Sequence, residues 1–502
     1  MGSGHAALAL RTDYCRQLQL IHEQLGIQRV RFHGILHDDM HTLHSMKDVL
    51  PFPGGGRFTE QSFRLPGLAY DNVLSCGMQP FVELSFMPKL LAKKNKRGLF
   101  YYKPIIAMPK SDTAWASYIQ DFVRFLLRRY GKAEVESWFF EVWNEPDLRV
   151  VFFHGSQADY FHLYEITARA IKEVNPNLRV GGPATSGSRW VADFVKFCKA
   201  NDVPVDFIST HQYAGDPLGG VKEGEQEPKA AGGLRLARLL NPYRGLPDGT
   251  VLSAMRRLMG DKSETEDIPD YLFARNAPIV KSQAAGLPVY YNEWNVNAIF
   301  SAYTNDTRKA AAYLAKTSLA VEDSVTGSAI WCFSDIFEEL HPFPEEFHGG
   351  FGLLSQHGIP KPAFHAMKWL ADTGSEQYDL PEMPGGETGM AAFKGEESVE
   401  VLLFRQKMKN LDLPKEQATV TLETEKRPRA VTVQRIDEAN GNPLKLWEEM
   451  GSPLDLTPAA VSDIIQKTAL REEEMPYDYK EGKVVLSAAL GVNDLCFIRV
   501  KL

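Results

Sequence analysis

The chain has 502 residues, 44% hydrophobic and 24% charged, which is room for one large catalytic domain and a smaller second one. Its 64 acidic residues exceed 56 basic ones, giving a net charge of −8 with no long basic run, so neither nucleic acid nor an anionic membrane is an expected partner. No apolar stretch is long enough to span a bilayer, and the opening MGSGHAALALRTDY lacks the pattern of a signal peptide.

Five cysteines (Cys15, Cys76, Cys198, Cys332 and Cys496) are odd in number, dispersed and without CxxC spacing. They read as reduced thiols of a cytoplasmic protein, forming neither a disulfide framework nor a zinc site.

Up to about residue 370, short β-rich runs alternate with amphipathic helical stretches, the pattern of a parallel α/β fold. The strand candidates are RVRFHG (29–34), PFVELSF (80–86), WFFEVWN (138–144), LRVGGPA (178–184), VDFISTHQY (205–213), PVYYNEWN (288–295) and SAIWCFS (328–334). Residues 114–130 carry apolar side chains at helical spacing and end at Gly131, a C-cap residue. A barrel needs an eighth strand, and the only room ahead of RVRFHG is MGSGH. The first strand is therefore very short, or upstream residues are missing from this numbering.

Residues 214–282 form a long connection rich in Gly, Pro and charge, read as a lid, an oligomer contact or a solvated insertion. Past residue 370, Pro381, Pro384, Gly385 and Gly386 mark a linker. Alternating runs at 399–406, 418–424, 429–437 and 495–502 then suggest antiparallel strands of a sandwich-like accessory domain, interrupted by a helix near 457–473. The expected architecture is a (β/α)₈ TIM barrel over 1–370 followed by a β-rich accessory domain over 371–502.

Two strand ends carry the chemistry. Glu145 ends an aromatic strand after Asn144 and before Pro146, and Glu293, 148 positions later, ends a second such strand after Asn292. Carboxylates at the C-terminal ends of different parallel strands are how a barrel builds an active site. Glycoside hydrolysis needs two of them, one to protonate the leaving oxygen and one to attack the sugar carbon. Each has a plainer reading, a solvated loop carboxylate for Glu145 and a strand-end salt bridge for Glu293.

His211 and Tyr213, at the end of their strand, are positioned to hold Glu293 ionised. The run His33-Gly-Ile-Leu-His37-Asp38-Asp39-Met-His41-Thr-Leu-His44 offers metal-type ligands. No other segment supplies a complementary motif, so no metal or other cofactor is expected, and His33 serves as a hydroxyl ligand. Trp331 suits the floor under a sugar ring, and Glu338 and Glu339 suit neutral sugar hydroxyls.

These segments, from GSGHAALAL through RFHGILHDDM, FEVWNEPDL, PVDFISTHQY and YNEWN to WCFSDIFEE and FHGGFGLLSQHGIPKPAFH, resemble glycoside hydrolase family 39, specifically its bacterial β-xylosidase branch. The resemblance implies a retaining exo-glycosidase with Glu145 as acid/base and Glu293 as nucleophile. It also implies that Asn144 bonds the sugar 2-hydroxyl. His33, His211, Tyr213, Trp331 and Glu339 would line the same subsite, with Phe100 nearer the leaving group and Glu338 as the neighbour in register.

Departures from the pattern are Asn292 and Trp294, where those enzymes typically show Thr and Tyr, and a longer connection between His211 and Glu293. The expected partner is a xylo-oligosaccharide. An α-L-arabinopyranosidase, an α-L-iduronidase and a non-catalytic carbohydrate-binding protein are the alternatives, and a homo-oligomer is left open.

Overall fold

A computed structural model describes residues 1–46, 59–214, 268–298, 302–337, 339, 343–380, 387–409 and 411–502. Its central sheet has eight parallel strands in sequential order: β1 (Gly2–His5), β2 (Arg29–His33), β3 (Gln79–Leu84), β4 (Phe139–Val142), β5 (Arg179–Thr185), β6 (Phe207–Tyr213), β7 (Val289–Asn295) and β8 (Gly327–Ile330). The eighth strand is the short Gly2–His5, whose Gly2 pairs with Arg31 of β2. Phe333 N–H donates to Gly2 O at 3.1 Å, bringing the ends of the sheet together. Gly2 is required at that seam, because a Cβ there would lie 2.4 Å from Trp331 Cε3.

Helices α1 (Thr12–Leu25), α2 (Arg64–Ser75), α3 (Asp112–Tyr130), α4 (Gln157–Val174), α5 (Val191–Ala200), α6 (Leu272–Gln283), α7 (Arg308–Val321) and α8 (Pro362–Asp372) complete the barrel. The helix expected at 114–130 is α3. Ser111 caps it by accepting from Ala114 N–H, and Trp115, Ile119, Phe122, Val123 and Leu126 form its buried stripe. Most of the long 214–282 connection lies outside the described residues, and its last part is α6.

Alternation along the strands lays down the barrel interior in layers. Phe81, Phe139, Phe207 and Tyr290 meet across the barrel, with Phe81 and Phe139 stacked at 5.1 Å, and seal its floor. Two residues further along their strands, Glu83 and Glu141 place carboxylates above this floor. The ends of the strands above them form the mouth.

After the barrel, β9 (Gly389–Lys394), β10 (Ser398–Phe404), β11 (Glu416–Glu423), β12 (Ala430–Ile436), β13 (Tyr477–Lys480), β14 (Lys483–Leu490) and β15 (Leu495–Lys501) form antiparallel sheets. β9, β10, β15 and β12 are neighbours in one sheet, and β11, β14 and β13 form a second. Val401, Val433 and Ile498 of the first pack with Val420, Val484 and Leu486 of the second.

The helix expected near 457–473 is Pro458–Thr468, preceded by another at Pro443–Glu449. Strands β9, β13 and β14 were not anticipated. The linker residues Pro381, Pro384, Gly385 and Gly386 lie outside the described residues. Trp369 of α8 stacks on Phe497 at 5.6 Å, and Lys309 Nζ of α7 donates to Met408 O at 2.8 Å, joining this region to the barrel.

Candidate active site

β4 ends in a strained turn. Trp143 and Glu145 have φ of 74° and 38°, and Ala184 at the end of β5 has 54°. Non-glycine residues in this region typically cost about 1–3 kcal/mol each and need surroundings that hold them. Here Glu145 N–H donates to Ala184 O at 2.8 Å and Leu148 N–H to Glu145 O at 3.0 Å. The fully buried Trp143 ring donates to Phe152 O at 2.8 Å. Asp147 accepts from Ser186 N–H at 3.0 Å and Ser186 Oγ at 2.6 Å, and burial pushes its carboxyl up to about 6. The Glu145 side chain is thereby aimed across the mouth.

Glu293 faces it from β7. One ligating atom each of Glu145, His211 and Glu293 lies within 4.8 Å of the other two. Carboxylates this close suit the spacing of about 5–5.5 Å found in retaining glycosidases, not the roughly 6.5–9.5 Å of inverting ones. Tyr213 OH donates to Glu293 Oε2 at 3.0 Å. His211 was expected to serve Glu293, but its Nδ1 is 2.9 Å from Glu145 Oε1 and 3.5 Å from Glu293 Oε2. Its register directly opposite Glu293 places the ring between the two carboxylates, nearer the first.

Beneath Glu293 lies a residue that sequence reasoning missed. Arg31, 1% exposed, donates through Nη1 to Glu293 Oε1 at 2.6 Å, through Nε to Glu141 at 2.6 Å and through Nη2 to Asn144 Oδ1 at 2.8 Å. Its Nη2 is also 2.9 Å from Glu83. Asn292 donates to the other oxygen of Glu141.

Burial alone would raise the Glu293 carboxyl, but His211, Arg31 and His33 more than offset it and hold the group below its ordinary range. His33 shows the converse. Burial opposes its charge, yet Glu83, Glu339 and Glu293 raise the ring to about 9. The signal for Arg31 was present, since period-2 alternation puts it on the same inward face as His33.

Glu339 is the proton-holding member. Burial, reinforced by Glu293, Glu83 and Glu145 against the pull of His33, lifts it to about 8. Its Oε1 stands 3.8 Å from His33 Nε2 and, among the described residues, neither it nor Asn144 Nδ2 has a hydrogen-bond partner. Both atoms are therefore available to a ligand.

Trp331, just past β8, lies 4.6 Å from the His33 ring, and Phe100 and the unanticipated Phe152 lie 6.1 and 5.8 Å from it. The described residues thus gather Glu145, Glu293, His33, Asn144, His211, Tyr213, Trp331, Glu339 and Phe100 about one cleft. Glu338 lies outside the described residues.

The histidine run does not converge on one point. His33 enters the cleft, His37 and Asp39 group with His5 at 2.7 and 2.9 Å contacts to Asp39, and His41 meets His44 at 5.8 Å. Among the described residues no helix is long and apolar enough to cross a membrane.

Residues 1–232 and 263–477 match the family described as glycosyl hydrolases family 39. A beta-xylosidase from Caldicellulosiruptor saccharolyticus is 36% identical over 479 residues, covering 95% of this chain and 89% of that protein. One from Geobacillus stearothermophilus is 32% identical, covering 100% and 92%. The crystal structure of a monomeric beta-xylosidase from Caulobacter crescentus CB15 superposes with a TM-score of 0.77 at 27% identity, covering 100% of this chain and 95% of the other. Likeness at this identity, running through both Asn-Glu strand ends and nearly the whole length, makes the chain a glycoside hydrolase belonging to glycosyl hydrolases family 39.

Proposed function

We propose that the chain is a retaining, exo-acting β-xylosidase that releases xylose from the non-reducing end of short xylo-oligosaccharides. The observation that carries this reading is the pair of carboxylates facing each other within 4.8 Å, read beside full-length relatives named beta-xylosidases.

In the first step Glu145 donates its proton to the glycosidic oxygen while Glu293 attacks the anomeric carbon. The carbon–oxygen bond breaks, and a glycosyl ester on Glu293 forms. Glu145, now a carboxylate, takes a proton from water, whose oxygen displaces Glu293 and restores the original configuration. Arg31 and Tyr213 fix both oxygens of Glu293, leaving it ionised and oriented for attack. Asn144, itself positioned by Arg31, offers its amide to the sugar 2-hydroxyl. Protonated Glu339 donates to a hydroxyl farther round the ring, and Trp331 supplies an apolar face beneath it.

Relatives named alpha-L-iduronidases match only 14–15% of this chain, against 95–100% for the beta-xylosidases, which disfavours an iduronidase. A cytoplasmic setting is part of the reading, supported by five cysteines that form no disulfide.

Proton NMR of an aryl β-D-xylopyranoside during hydrolysis tests the proposal. We expect β-xylose as first product, and none from Glu293→Gln. Release of α-xylose would overturn the retaining mechanism. Hydrolysis of the α-L-arabinopyranoside in place of the xyloside would replace the sugar but keep the residue roles.

A further inference from the structure

Between Leu84 and Ser111, the stretch joining β3 to α3, the chain carries seven lysines and arginines and no carboxylate, in a protein of net charge −8. This stretch folds back on itself, with Lys93 N–H donating to Met108 O at 2.9 Å and Ile106 N–H to Lys96 O at 3.0 Å. Its inner edge is joined to the segment after Glu145 by His154 N–H, which donates to Ile106 O at 2.6 Å.

At the junction lies a cavity of about 280 Å³ walled by Lys93, Lys94, Arg149, His154, Ser156 and Asp159. Asp159 is already engaged, accepting from Ser156 N–H and Oγ at the start of α4. Arg149 Nε donates to Gly155 O at 3.1 Å, and Lys93 and Arg149 act on the Asp159 carboxyl only through space, behind its bonds to Ser156. Desolvation first, and then Lys96, Lys94 and Arg149, lower the His154 imidazole.

The cavity is built on the same two segments that border the cleft. Arg149 follows Glu145 by four residues. Phe100 and Phe152, carried on the same two segments, pack at 5.2 Å beside His33. Next to these rings in the chain, Leu99, Tyr101 and Val150 are 47%, 49% and 65% exposed. A sugar chain led from the cleft along these two segments would meet these exposed apolar side chains and then the cations.

Resting on the β-xylosidase reading above, we propose that this cavity is a leaving-group subsite for a carboxylate. The preferred substrates are then xylo-oligosaccharides bearing a uronic acid branch beyond the bond that is cleaved. What the cavity selects is a charge placed beyond the bond that is cleaved.

Three substrates test this: xylotriose, the same trisaccharide with a glucuronic acid branch on its reducing-end xylose, and the methyl ester of that branch. At low ionic strength kcat/KM for the acid should exceed that for the ester by about tenfold, the sum of a few partly exposed charge contacts. The advantage should vanish at about 1 M salt, where screening acts within about 3 Å. It should also vanish in Lys93→Gln/Lys94→Gln/Arg149→Gln, which leaves xylotriose hydrolysis unchanged.

Equal rates for acid and ester in the unaltered enzyme, or an advantage that survives the triple substitution, would overturn the proposal. Failure to cleave xylotriose itself would instead overturn the β-xylosidase reading. Calorimetric titration of acid and ester into both proteins then decides the subsite: preference for the acid, lost in the variant, supports it, and equal affinity rejects it.

Discussion

A guanidinium that bonds Glu293, Glu141, Glu83 and Asn144 together sets both the charge of the attacking carboxylate and the place of the amide beside it. Lysine in its place keeps the charge but not the fork. Arg31→Lys should lower kcat by about 10- to 100-fold, the loss of one or two charge-assisted bonds. It should also move the acid limb of the pH–rate profile upward as Glu293 becomes harder to ionise; an unmoved limb would remove Arg31 from that role. Glu339 acts at the other end of the scale. Its folded-state value of about 8 lies above the ordinary 4.5, so the folded protein keeps a proton that the unfolded chain releases. The stability this adds is full below about 4.5 and is lost as pH rises through 8. Urea unfolding across that window should show the decline, and Glu339→Gln should flatten it. Glu145 and Glu293 were legible in the sequence because each closes an aromatic strand with Asn-Glu, a signal carried by neighbours in the chain. Arg31 and Glu141 were not read, because they lie inside their strands and acquire partners only when the barrel closes. The expected His211–Glu293 bond was displaced toward Glu145 by a sub-ångström difference that spacing along a strand does not encode.

The turn after β4 and the segments around α8 show two ways an element is fixed. In the turn, strained backbone at Trp143 and Glu145 is held by bonds to β5 and to Phe152. Glycine adopts such φ values without penalty, so Glu145→Gly should be inactive yet unfold at or above the wild-type temperature. A lower Tm would mean that the turn is not strained. At the start of α8, fully buried Lys361 sits 2.5 Å from Asp306 and 2.6 Å from Asp335, tying the helix to the segments after β7 and β8. Lys361→Met would leave two buried carboxylates facing each other, and a loss of about 3–5 kcal/mol in denaturant unfolding is expected. Most barrel strands and α3 were legible, because apolar runs and helical spacing are local patterns. β9, β13 and β14 were not: GMAAFK and the Ala-rich end of β14 have weak strand signals of their own and owe their form to ladder partners distant in sequence.

At the scale of the whole molecule, the barrel and the β-rich region share contacts through α7 and α8, so the sheet that carries no candidate catalytic residue still braces the helices outside β7 and β8. The barrel's own seam is held by Gly2 against Trp331 and Phe333. Gly2→Ala should press on the Trp331 ring and raise KM for xylosides with little change in far-ultraviolet circular dichroism; an unchanged KM would show that the ring is not part of the sugar floor. That seam has a temporal side as well. Gly2 and Phe333 are 331 residues apart in the chain, so the sheet cannot close until the whole stretch between them has been made. At a synthesis rate of about 5–20 residues per second this is a wait of some tens of seconds, with the free edge of β1 open to other chains. The yield of folded enzyme should therefore respond to translation speed and to chaperones more than its final stability would suggest.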